Sequence, residues 1–284
     1  MGFAETLLLG AIAGFTIFLG LPIGRITRVD DRLRVALAMF SVGILAFIFM
    51  DVTSHGQSIV DSALSSFRQH RASLGHIIGL FALLAAGFTA GTAGISGVER
   101  WLRRRRPAAR PIAGGGTGAA FAARELAGFD ADARRAALRT AMTIAVAIGL
   151  HNFAEGLAIG VSANTGAIGL ATVLIIGFGL HNATEGFGIV GPLGGVSPSW
   201  KWLGIAGLIG GGPTFLGTLV GYQVHAEALQ LCFYALAGGA ILYVIGEIWT
   251  SVRRYGYRTL GLYLLAAGFL LGVATDLIVT YGGA

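Results

Sequence analysis

The sequence predicts an all-α, polytopic membrane protein with eight transmembrane helices. Three observations carry that reading. Of its 284 residues, 55% are hydrophobic and 12% are charged, whereas soluble domains carry about 25% charged residues. The apolar residues fall into runs of about 20, the length that crosses a bilayer as a helix. The basic residues gather in alternate connections between those runs, as the positive-inside rule requires of cytoplasmic loops.

The runs follow in order. The first, 3–24, has no Lys or Arg before Arg25; a cleaved signal peptide needs a basic start, so it reads as a retained span. The second is 35–55. The third, 74–97, precedes the one long connection. The fourth and fifth, 140–162 and 166–190, come from an apolar stretch too long for one span, and the turn-forming SANTG at 162–166 divides it; reading a break there within one segment gives seven spans instead. The last three are 201–223, 228–250 and 259–280. The chain is read as one integral membrane domain, 1–284, and its 46 glycines suit closely packed helices and permit a homodimer.

Charge tests this layout. The first connection holds Arg25, Arg28, Arg32 and Arg34, the third holds ten arginines from Arg100 to Arg139, the fifth holds Lys201, and the seventh holds Arg253, Arg254 and Arg258. Together these are 18 of the 20 basic residues; Arg68 and Arg71 alone lie on the other side. Both termini are therefore expected outside and the arginine-rich connection 98–139, Pro/Gly-rich and partly flexible, in the cytoplasm. Arg103 to Arg106 read as a topogenic anchor beside anionic lipid rather than a nucleic-acid contact. The calculated pI near 10.0 comes mostly from this connection.

Cys232 is the single cysteine, which excludes an intrachain disulfide and a thiolate zinc site. Walker A, zinc-protease and nucleophile-elbow motifs are absent. What the chain does carry is HNFAEGLAIG from His151 and HNATEGFGIV from His181, the same His, Asn, Glu and Gly at an offset of 30. His151 and Glu155 are four residues apart, as are His181 and Glu185, so each pair shares a helix face; Asn152 and Asn182 project onto an adjoining one. Imidazole and carboxylate together are ligands for borderline divalent ions such as zinc. A buried structural pair is the plainer alternative, but two copies on antiparallel neighbours favour a shared metal site. Glu247, in span 7, either joins that site or caps the inner helix end. Asp51 and His55, also four apart, form an outer entrance or an interfacial pair. Asp276 reads as structural, and Met39, Met50 and Met142 as packing residues.

The tandem motif resembles that of the ZIP (Zrt/Irt-like) family of divalent metal transporters, its bacterial members above all, and GGAILYVIGE in span 7 adds to the likeness. The resemblance implies a 3+2+3 fold, with spans 1–3 and 6–8 pseudo-symmetric around spans 4–5, in a bacterial inner membrane. It implies a metal site of His151, Asn152, Glu155, His181, Asn182, Glu185 and Glu247, with the metal as transported substrate and no prosthetic group. It further implies import, most readily of zinc, by alternating access. Two departures stand out: Ala154 and Thr184 occupy the places of the family's motif prolines, and Asn182 stands where some relatives have Asp. The competing readings are an intramembrane metal-dependent hydrolase and a non-conducting metal-binding membrane protein.

Overall fold

The computed structural model describes residues 1–26, 30–97, 100, 118–164, 168–223 and 226–281, with side chains throughout except at 118–130, 168–174 and 279–280. Among the described residues every regular element is helical. The helices of spanning length are α1 (Phe3–Arg25), α2 (Asp31–Arg68), α3 (Leu74–Gly97), α4 (Gly118–Asn164), α5 (Ile168–Val190), α6 (Trp200–Gln223), α7 (Glu227–Val252) and α8 (Arg258–Tyr281). Seven are long and apolar enough to cross a membrane on their described residues alone, and α5, at 23 residues, is the eighth of that length. Helices end at Asn164 and start again at Ile168, so the eight-span reading holds over the seven-span one; residues 165–167 of the turn lie outside the described residues.

Two helices outrun their apolar cores. α2, capped by the Asp30 side chain at Arg32 N–H, was expected over 35–55 but continues to Arg68. In its polar second half Ser54, Ser58, Ser62 and Ser66 donate to carbonyls of the preceding turn. It stops at His70, which has a φ of 57°. α4 begins at Gly118, inside the expected connection 98–139, because 118–139 is rich in Ala, Arg and Leu, all strong helix formers. The remainder of that connection apart from Arg100, with Glu99 and Arg103 to Arg106, lies outside the described residues. Both termini of α1 differ in character: α-helix gives way to a 3-10 turn at Leu21–Arg25, where Pro22 supplies no N–H.

Glycines set which helices touch backbone to backbone. Gly156 of α4 faces the Thr214 carbonyl of α6, and Gly217 of α6 faces the Phe153 carbonyl of α4. Gly20 of α1 meets the Ala183 carbonyl of α5 in the same way, and Gly14 of α1 that of Gly211 in α6. Elsewhere Gly43 and Gly268 close the α2–α8 seam, and Gly91 and Gly239 the α3–α7 seam. At each of these positions a side chain would run into the neighbouring backbone. The seams define two groups, α1/α4/α5/α6 and α2/α3/α7/α8. Exchanging spans 1–3 with 6–8, and 4 with 5, maps α1–α5 onto α6–α4 and α2–α8 onto α7–α3, so the seams obey the 3+2+3 pattern. Across the two groups, Phe153 of α4 lies 4.5 Å from Phe233 of α7 between ring centroids.

Outward faces carry exposed Leu8, Ile12, Leu208, Leu216, Leu270 and Ile278, as lipid contact demands. One end gathers the basic residues: Arg25 donates to the Pro198 carbonyl at 2.6 Å and stacks on Trp200, Arg134 donates to that of Ser197 at 3.5 Å, and Arg34 and Arg254 converge on Gly194.

Candidate metal centre

The paired motifs meet in the C-terminal halves of α4 and α5. Because these helices are antiparallel, the first residue of one motif lies level with the last of the other. His151 Nε2 is 2.7 Å from Glu185 Oε1, and His181 Nε2 is 2.7 Å from Glu155 Oε1. The partnership is thus crossed. Within α4, His151 Nε2 is 3.9 Å from Glu155 Oε1, so the i,i+4 spacing that identifies the motif serves to stack two inter-helix pairs rather than to form its own.

Neither helix breaks at its motif. Ala154, 1% exposed, is packed into the core, and the Thr184 hydroxyl donates to the His181 carbonyl at 2.7 Å. The pairs converge without a proline at either position.

The asparagines bind the cluster to the flanking helices. Asn152 Nδ2 donates to Glu185 Oε2 at 3.3 Å and to the Gly210 carbonyl of α6 at 3.0 Å. Asn182 Nδ2 donates to the Ala13 carbonyl of α1 at 3.1 Å. With the amide nitrogens so engaged, Oδ1 of both asparagines has no hydrogen-bond partner, nor have Glu155 Oε2 and His151 Nδ1, all of them buried. The two carbonyls were not anticipated from sequence; a main-chain oxygen bears no residue signature.

His151, Asn152, Glu155, Asn182 and Glu185 are buried, and the His181 side chain is 14% exposed. Two carboxylates removed from water repel each other and forfeit hydration, a cost that the bilayer makes worse. A divalent cation offsets both. One donor atom from each of His151, Glu155 and Glu185 lies within 4.8 Å of the others. Ligands about 2.1 Å from a zinc ion are at most about 4.2 Å apart, so closure on an ion requires only a small contraction. The ion would take the place of the proton between imidazole and carboxylate.

Glu247 is half-buried on α7 and does not belong to that three-residue cluster. Asp51 and His55 are adjacent on α2, with Nδ1 and Oδ1 3.6 Å apart and side chains 37% and 55% exposed respectively. The His55 ring lies beside Tyr234 of α7, and Asp51 stands within electrostatic reach of His181 and Asp276.

No curated protein matches the chain. Residues 125–245 match the family model described as ZIP Zinc transporter; the match includes both motifs and stops two residues short of Glu247. With spanning helices and a buried His–Glu cluster inside the matched stretch, this is an integral membrane protein that resembles the ZIP family of divalent-metal transporters.

Proposed function

We propose that the chain imports divalent cations, zinc foremost, into the cytoplasm by alternating access. The observation that carries this reading is the crossed His–Glu cluster: four ionisable side chains from two helices, held beside buried oxygens that a cation would satisfy. The nitrogen–oxygen donor set favours zinc, and the lack of thiolate leaves the ion free to depart.

Direction follows from the ends. The arginine-rich end is cytoplasmic by the positive-inside rule. The His181–Glu155 pair lies toward the opposite end and retains the exposure that His151 and Glu185 lack. Asp51 and His55 stand on the same side as an outer entrance. Glu247, closer to the arginine-rich end, receives the ion on its way out. Rocking or sliding of α1/α4/α5/α6 against α2/α3/α7/α8 would change which side is open, with the glycine seams holding each group together as it moves.

The purified chain in sealed vesicles tests the proposal. Zinc, cadmium, manganese and iron(II) are offered in turn to an indicator inside. Zinc accumulation above that of protein-free vesicles, and faster than manganese, is expected. Accumulation of none of them would refute transport.

A further inference from the structure

Ser41 of α2 behaves unlike the other serines of its helix. Ser54, Ser58, Ser62 and Ser66 each donate to a carbonyl three or four residues back, at 2.8–3.0 Å. This is a common way for a helical serine to satisfy its hydroxyl. Ser41 is more deeply buried than any of them, 1% exposed, yet its hydroxyl has no partner. It turns away from its own helix toward α5, where Oγ comes within 2.9 Å of the point a Cβ on Gly188 would occupy.

Gly188 lies three residues beyond Glu185, one turn nearer the arginine-rich end. Ile248 of α7 approaches the same glycine, its Cδ1 3.2 Å from that point, and Glu247 precedes it in the chain. The hydroxyl therefore stands where α2, α5 and α7 meet, on the boundary between the two helix groups and just past the crossed cluster.

Packing alone does not account for it. Close approach of α2 to Gly188 needs a small residue, and alanine is small. A buried hydroxyl left unpaired costs about 1–3 kcal/mol, and the bilayer provides no water to soften that. A rotation about one bond would remove the cost, as in the four sibling serines.

We infer that Ser41 Oγ is an oxygen ligand on the exit step, touching the cation as it leaves Glu185 for Glu247. This rests on the transport reading and adds to it a residue from the opposing helix group. A neutral hydroxyl binds a divalent ion weakly, as a transit site must if the ion is to go on.

The test uses the full chain in vesicles with Cys232→Ala as background. Ser41→Ala should slow zinc uptake per folded transporter by on the order of tenfold, the loss of one contact to a charged partner. Equilibrium zinc binding, set by the cluster, should change by less than about twofold, since independent sites act additively. Ser41→Cys offers a thiolate, which prefers cadmium over zinc. It should raise the cadmium-to-zinc rate ratio and give a thiolate-to-cadmium absorption band on titration. A packing residue would produce neither effect, and Ser41→Cys carries the test alone if Ser41→Ala folds poorly. Wild-type uptake and selectivity in both variants, with no cadmium band, would overturn the Ser41 assignment and leave transport intact. Absent uptake by the unsubstituted chain would overturn transport and, with it, the exit step.

Discussion

Each imidazole in the centre has a carboxylate on the other helix closer than the one on its own. His151 is 2.7 Å from Glu185 and 3.9 Å from Glu155. Metal affinity should inherit that difference. In calorimetric zinc titrations of the solubilised protein, His151→Ala and Glu185→Ala should couple by about 1–3 kcal/mol in a double-mutant cycle. The cycle of His151→Ala with Glu155→Ala should show less coupling, and equal values would mean the crossed geometry is not the one that binds. The residues of this site were legible in the sequence as types and spacing: two His-Asn-Glu sets in apolar runs have few uses. Their crossing was legible only in outline, through the antiparallel order of spans 4 and 5. The Ala13 and Gly210 carbonyls and the rotated Ser41 hydroxyl were not, because which backbone oxygen a side chain reaches depends on helix separation and rotation.

At the scale of elements, the glycine seams fix that separation. Gly217 lies against the Phe153 carbonyl, two residues from Glu155, whereas Gly212 of the same helix has open space where a Cβ would go. Gly217→Ala must therefore push α6 off α4 and should destabilise the protein by about 1–3 kcal/mol, the usual cost of overpacking. Gly212→Ala should stay within about 0.5 kcal/mol, as surface substitutions do. Thermal unfolding in detergent distinguishes them, and equal melting temperatures would show that the seam yields freely. Helix number was readable from hydropathy because the bilayer imposes a length on apolar runs. Helix ends were not, in α2 and α4, because a helix can run on past its apolar core, where hydropathy stops reporting its length.

For the whole molecule, charge asymmetry sets orientation. A cysteine replacing Ala109, with Cys232 removed, should react with an impermeant maleimide only when the cytoplasmic face is open to reagent, and one replacing Ser73 should react from outside. The reverse pattern would invert both the orientation and the direction of import. The central claim is that the two motifs exist to make one shared cation site. Its most direct test is zinc uptake by Glu155→Ala, Glu185→Ala and the double variant in vesicles, normalised to folded transporter. Each single change should reduce uptake by tenfold or more, on the order expected for losing a charged ligand, and the double variant should fall little further because both serve one site. Near-wild-type normalised uptake in both single variants would contradict the account and return the motifs to a packing role.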